Sequence, residues 1–379
     1  MSAPSPLQVA EIFDIIVDHL HDNHKALAAC SLVCRAWLPS SRYHLFFTVQ
    51  VSDTGNLTRF LDELDSPLST IAPFVRTLTL HECDYISPPK STRDMETTSR
   101  TATSEIDART VSLSRLVALK KLELHRFHFN HFNEFIDIVS VFPLLKEISL
   151  DVVQWEDDQA LEEPNRGPPP ALQVICLGQC DKGRILNWVT SEEVVPMVKI
   201  VNLRQIVPSQ MSSIRRFLRI VGPSLEQLHL CFFNFDWAGS PGEPTPACNF
   251  RIWLTQCPNE TVSLANDMMH ASNLRSIQIE AYAYSSPSLE VWLSLLSQIS
   301  SGQMEAVVFN IWAWRSLNES TWADMDRLFT SPRFVHLRKV CVQLLFLGGE
   351  RKAANWVSQR LPRCAARGIL SLWGTTLNH

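Results

Sequence analysis

Nine times along the chain one short signature returns, apolar-x-x-apolar-x-apolar. It reads VRTLTL (75–80), LKKLEL (119–124), LKEISL (145–150), LQVICL (172–177), VKIVNL (198–203), LEQLHL (225–230), LRSIQI (274–279), MEAVVF (304–309) and LRKVCV (337–342). The fourth positions are Leu78, Leu122, Ile148, Ile175, Val201, Leu228, Ile277, Val307 and Val340, separated by 44, 26, 27, 26, 27, 49, 30 and 33 residues. Few folds accommodate such a pattern, because each copy must occupy an equivalent place and bury its apolar positions against its neighbours. Within each copy the last positions alternate with the period of a β-strand. The fourth and sixth therefore face a core, and the fifth and the residue after the sixth face the other way.

Between the copies lie stretches with helical spacing, HFNEFIDIVSVF (131–142), SQMSSIRRFLRIV (209–221) and LEVWLSLLSQI (289–299). Strand, turn, helix and return, at a period within the ~20–29 residues typical of leucine-rich repeats, resembles an irregular form of that repeat. The expected fold is α/β, an irregular leucine-rich-repeat-like solenoid with a parallel concave sheet. The asparagine or cysteine usual three residues past the last leucine is met only by Cys83 and Cys180; Phe127, Ile206 and Phe233 occupy it elsewhere. The two long separations contain a polar Ser/Thr-rich insertion (85–112, centred on 87–109) and a Pro/Gly loop (238–248). WVSQRLPRCAARGILSLWG (356–374) reads as a helix ending near Gly368 and an apolar strand that covers the last open core.

The outward positions form the candidate target-binding strip, and His81, Glu123, His125, Asp151, Arg204, His229 and Glu280 are its charged or titratable members. Thr79, Ser149, Asn202, Cys231, Gln278, Asn310 and Gln343 complete it. Both signs are present and neither dominates, which suits a protein partner. An ordinary solvated sheet face has the same composition.

The first fifty residues differ. AEIFDIIVDHL places Ile12, Ile15, Ile16 and Leu20 at helical spacing with Glu11, Asp14 and Asp18 between them. Asn23 is a natural N-cap for a second helix. Leu27, Cys30, Cys34 and Trp37 fall on one face of that helix, which Pro39 is expected to end. Two cysteines one turn apart do not complete a zinc site, so Cys30 and Cys34 are read as packing residues.

The segment AEIFDIIVDHL…KALAACSLVCRAWLPSSRYHLF resembles the F-box, over about residues 7–47, in the version found in large fungal families. Glu11 with its aliphatics, Leu20, the SLVCRAW block (31–37) and Leu45-Phe46 carry the resemblance; the family's Leu-Pro or Pro-x-Glu opening is replaced by QVAE (8–11). The resemblance implies an adaptor-binding domain (1–50) ahead of a substrate-recognition domain (51–379). It also implies that Glu11, Ile12, Ile15, Ile16, Leu20, Leu27, Val33 and Trp37 bind a Skp-type adaptor and, through it, a cullin. The chain would then be the non-catalytic substrate receptor of a ubiquitin ligase for an unknown protein target. The alternative is a repeat scaffold whose F-box takes no part in ubiquitination.

Other chemistries find little footing. A formal charge of -5 argues against a nucleic-acid or anionic-membrane partner. No apolar run approaches the ~18–20 residues of a spanning helix, and the N-terminus lacks a signal-peptide pattern. The ten cysteines include no CxxC pair, so reduced thiols in the cytoplasm or nucleus are expected. No GxSxG, HExxH, Walker or GxGxxG motif is present, so no catalytic, cofactor or small-molecule site is expected. His125, His128 and His131 in HRFHFNH lack the spacing of a metal set. The acidic EDDQALEEP (156–164) is expected to be a solvated loop or to meet a basic partner, and Trp312 of WAW to be core.

Overall fold

The computed structural model describes residues 10–81, 110–155, 166–191, 195–232, 263–264, 266–281, 287–299, 301–311, 318–345 and 350–375. The readings placed on 87–109, 156–164, 238–248 and 312–314 lie outside these residues. The chain divides into two compact units, 1–172 and 173–379, each α/β.

The first unit opens with helices α1 (Ala10–His19), α2 (His24–Ser31) and α3 (Leu38–Phe47). Strand β1 (Thr48–Val51) follows α3 directly, so the sequence boundary at residue 50 falls inside a strand. After α4 (Thr54–Asp65), β1 pairs in parallel with β2 (Thr77–His81), and β2 with β3 (Lys121–His125). A short pair, β4 (His128–Phe129) with β6 (Gln154–Trp155), flanks the next strand, β5 (Glu147–Asp151), which pairs in parallel with β3.

Among the described residues of the second unit seven strands run in chain order and all are parallel: β7 (Val174–Leu177), β8 (Ile200–Leu203), β9 (Gln227–Phe232), β10 (Ser276–Ala281), β11 (Ala306–Ile311), β12 (Lys339–Leu345) and β13 (Leu370–Thr375). The helix Met211–Val221 shows why the intervening stretches are helical. Met211, Ile214, Phe217, Leu218 and Val221 are buried at i, i+3, i+6, i+7 and i+10, while Arg216 and Arg219 face water.

The register follows the repeat. Leu78, Leu122 and Ile148 sit opposite one another, as do Ile175, Val201, Leu228, Ile277, Val307 and Val340. The first, fourth and sixth positions of all nine copies are buried, from Val75, Leu78 and Leu80 to Leu337, Val340 and Val342. Each such side chain removed from water contributes roughly 1.5–3 kcal/mol, so the ladder is a large stabilising contribution.

Backbone groups at the turns are satisfied without the missing asparagines. The carbonyl at the second position accepts two N–H groups from the next copy: Arg76 O from Lys120 and Lys121, Lys199 O from Glu226 and Gln227, Glu305 O from Arg338 and Lys339. Beyond the strands, Arg126 N–H donates to Asp151 O, and Ile206 N–H to Cys231 O. Phe127 and Ile206 fill the asparagine slot and are buried. Two residues past the sixth position the chain turns through the left-handed region at Arg126, Val152 and Gln205 (φ 52°, 55° and 53°). The ammonium of the buried Lys182 donates to Gly178 O at 2.7 Å and Gln205 O at 3.2 Å. A cation thus caps carbonyls at these turns.

At the C-terminus two helices, Glu350–Arg360 and Pro362–Ala366, stand where the sequence suggested one, and they lead to Gly368 at φ 72° and then to β13. The left-handed glycine just past a helix end is the usual stop signal.

Candidate functional site

Three surface regions carry the residues singled out from sequence, and the first is formed by α1–α3. The inward stripe of α1 is Phe13 and Val17, both buried, rather than the isoleucines. Asp14 and Asp18 lie on the exposed side of α1 and at the same time hold α3. Ser40 Oγ donates to Asp14 Oδ1, and His44 Nε2 lies 2.7 Å from Asp18 Oδ1. This rotation turns Ile12 and Ile15 outward, at 38% and 56% exposure, with Glu11 exposed and Ile16 and Leu20 half-buried.

The single long helix expected through Leu27, Cys30, Cys34 and Trp37 is not formed. Helix α2 ends at Ser31, and residues 32–37 form turns that leave Leu32 (86%), Val33 (62%) and Cys34 exposed. Pro39 does not end a helix but lies in the first turn of α3, where its missing N–H has no intrahelical partner to lose. Cys34 is therefore a surface residue and Cys30 half-buried, which corrects the reading of both as core. Leu27 is fully buried and serves as packing, not as a contact surface. Trp37 is half-buried and stacks on Phe13 with centroids 6.1 Å apart.

The second region is the outward face of β2, β3 and β5. Residue His81 pairs in register with His125, and His125 with Asp151. The two imidazoles stack, and His125 Nδ1 lies 4.0 Å from Asp151 Oδ2. Below them Lys121 Nζ is 2.9 Å from Glu123 Oε1 and 2.7 Å from Glu147 Oε1, while Thr79 Oγ1 donates to Glu123 Oε2 at 2.8 Å. Burial raises the Glu123 pKa, but the hydrogen bonds from Lys121 and Thr79 outweigh it and hold the carboxyl below its usual range. Burial likewise opposes the charge on Lys121, and its contacts to Glu147 and Glu123 outweigh that and raise its pKa. Lys121 and Glu147 were not named from sequence. The same period of two, carried back to the third position of the signature, places them on this face.

The third region lies on β8, β9 and β10. Asn202 pairs with His229, and His229 with Gln278. His229 Nε2 is 3.1 Å from Glu280 Oε1, which also accepts Gln278 Nε2 at 2.8 Å. The His229 imidazole, set against a smaller opposing effect of burial, keeps the Glu280 pKa low. Arg204 is exposed one strand away. Cysteine, histidine and carboxylate meet here, but burial and then Glu280 push the Cys231 thiol up to about 12. It stays protonated at neutral pH and is no nucleophile. Burial raises the Cys341 thiol as well.

Among the described residues no three His, Cys, Asp or Glu side chains are placed to hold a metal ion. His128 is exposed on β4, and His131 is the N-cap residue of the helix Phe132–Ser140. No described helix is long and apolar enough to cross a membrane.

No protein-family model matches the chain, and no curated protein matches it. Among solved structures it is similar to a Bacteroides fragilis protein whose crystal structure came from a structural genomics consortium. Identity is 11%, the alignment covers 86% of this chain and 73% of that one, and the TM-score is 0.38. A likeness of that size carries neither fold nor function.

Proposed function

We propose that the protein is a substrate receptor of a Skp–cullin–F-box ubiquitin ligase. On this reading α1–α3 are the F-box, and the strands and helices that follow form a leucine-rich-repeat-like solenoid that presents a protein target. The chain itself is non-catalytic, and it works in the cytoplasm or nucleus. One observation carries the proposal: the three-helix segment whose sequence resembles the F-box leaves Ile12 and Ile15 of α1, and Leu32 and Val33 of the turn after α2, exposed. Aliphatic side chains left in water by so small a segment are what an adaptor-docking face requires. The polar faces around His81, His125 and Asp151, and around Arg204, His229 and Glu280, are the proposed target contacts.

The test is capture of a Skp-type adaptor by the full chain. Ile12→Asp with Ile15→Asp changes two outward residues and should abolish capture with the fold intact by circular dichroism. If the wild-type chain captures no adaptor, the reading fails and the alternative stands, a repeat scaffold outside ubiquitination. The QVAE opening favours that alternative. Arg204→Glu with His229→Glu should lose target proteins while adaptor capture survives.

A further inference from the structure

The second position of the signature marks the edge where the chain enters each strand, and its side chains differ between the units. In the second unit the residues from β8 onward are Lys199, Glu226, Arg275, Glu305 and Arg338, alternating in sign from one strand to the next. Lys199 Nζ lies 2.9 Å from Glu226 Oε1, and Arg275 Nη1 lies 3.6 Å from Glu305 Oε1. Adjacent copies thus neutralise one another along this edge.

In the first unit the same position holds Arg76, Lys120 and Lys146, all basic. Their backbones are in direct succession, for Lys120 N–H donates to Arg76 O at 2.8 Å and Lys146 N–H to Lys120 O at 2.7 Å. Neighbouring strands are about 4.8 Å apart, so the three residues are rooted along roughly 10 Å of edge. Lys120 and Lys146 are exposed, and among the described residues none of the three has a carboxylate partner. Arg76 is also held in place, its Nη1 donating to Pro73 O and Val75 O. The acids closest in register, Glu123 and Glu147, are both engaged by Lys121. Three like charges in a row oppose one another, and no described carboxylate pairs with any of them.

We propose that this edge, Arg76–Lys120–Lys146, docks an acidic peptide segment of a partner protein. Charge complementarity selects the occupant. A short run of Asp or Glu matches three cations over roughly 10 Å. A nucleic acid is a poorer match, because three cations neutralise few phosphates. The proposal does not depend on adaptor docking and goes beyond the target strip, since second-position side chains lie at the strand openings.

The test uses the full chain and a fluorescein-labelled hexaglutamate peptide, read by anisotropy at about 50 mM salt, where surface charges are weakly screened. Hexaglutamate should bind and hexaglutamine should not, with affinity falling as salt rises. Lys120→Glu with Lys146→Glu should weaken binding by about tenfold or more, and the neutral Lys120→Gln with Lys146→Gln by less. Arg338→Glu, the same change of sign in the second unit, should leave binding within about twofold. Equal binding of hexaglutamine, an equal loss in Arg338→Glu, or tighter binding of a single-stranded oligonucleotide than of hexaglutamate would each overturn the proposal.

Discussion

The imidazoles of His81 and His125 stack with centroids 4.6 Å apart and planes inclined by 10°. Burial, then the neighbouring His125, lowers the His81 pKa; Glu123 opposes this and Arg126 adds to it. Unfolded His81 takes its proton near 6.5, whereas folded His81 does so at lower pH. Between those two values the unfolded chain binds more protons, so stability is full above about pH 6.5 and declines as pH falls through the window. Urea midpoints measured at pH 7.5 and pH 5.2 should differ more for wild type than for His81→Gln. Glu123 and Glu280, with lowered pKa values, lose their contribution only below the usual carboxylate range, so work above pH 5 separates them. An unchanged pH dependence in His81→Gln would remove the stack as the cause.

Val152 is a β-branched residue at φ 55°, a conformation that costs a non-glycine residue about 1–3 kcal/mol. Glycine there relieves strain but adds freedom to the unfolded chain. Val152→Gly is therefore expected to stabilise by about 1 kcal/mol or less. Val153 is 1% exposed, so Val153→Gly should cost about 2–3 kcal/mol through lost packing and chain entropy. Thermal melts of the pair decide it; a Val152→Gly variant less stable than wild type would show that the turn is not strained.

The strand register was legible because the same signature, with its period of two, returns in every copy and leaves a single way to bury positions one, four and six whatever the length between copies. Leu78 opposite Leu122 opposite Ile148 follows from it. The inward face of α1 was not legible. The spacing within AEIFDIIVDHL holds no trace of Ser40 and His44, which Asp14 and Asp18 meet 26 residues later. The end of α2 at Ser31 was hidden as well, since SLVCR carries no Gly or Pro to mark a stop. Lys121 and Glu147 were missed although the signal was present, because the alternation was read forward from the fourth position and not back to the third.

Trp37 offers a test of the first three helices. Its ring stacks on Phe13, whose own side chain is 8% exposed, and α3 continues without a break into β1. Because the indole is half-buried, Trp37→Ala should cost about 2 kcal/mol, less than the ~3–5 of a fully buried aromatic. Hydrogen exchange should quicken in residues 10–47 and at Thr48–Val51, which bonds to Thr77–Leu80. Faster exchange confined to 32–37 would mean that Trp37 anchors only its own turn.

The last prediction concerns the C-terminal closure. Asp326 is buried on the helix Glu319–Phe329, and its carboxylate accepts the N–H groups of Cys364 at 2.9 Å and Arg363 at 3.1 Å. It thereby caps the helix Pro362–Ala366 from another element. Arg367 extends the tie by donating to the carbonyls of Phe329, Phe334 and Val335. Asp326→Ala leaves two N–H groups at a buried helix start without an acceptor, which costs about 2–4 kcal/mol. Asp326→Asn keeps one acceptor oxygen and should recover about half of that. Burial, then Asp326, pushes the Cys364 thiol up to about 12. The alanine variant should therefore also make Cys364 more reactive, both by loosening the cover and by removing the adjacent negative charge. Maleimide labelling at pH 8, followed by peptide mapping, reads this directly. If Asp326→Ala melts with wild type and Cys364 labels no faster, the carboxylate does not hold the end of the chain in place.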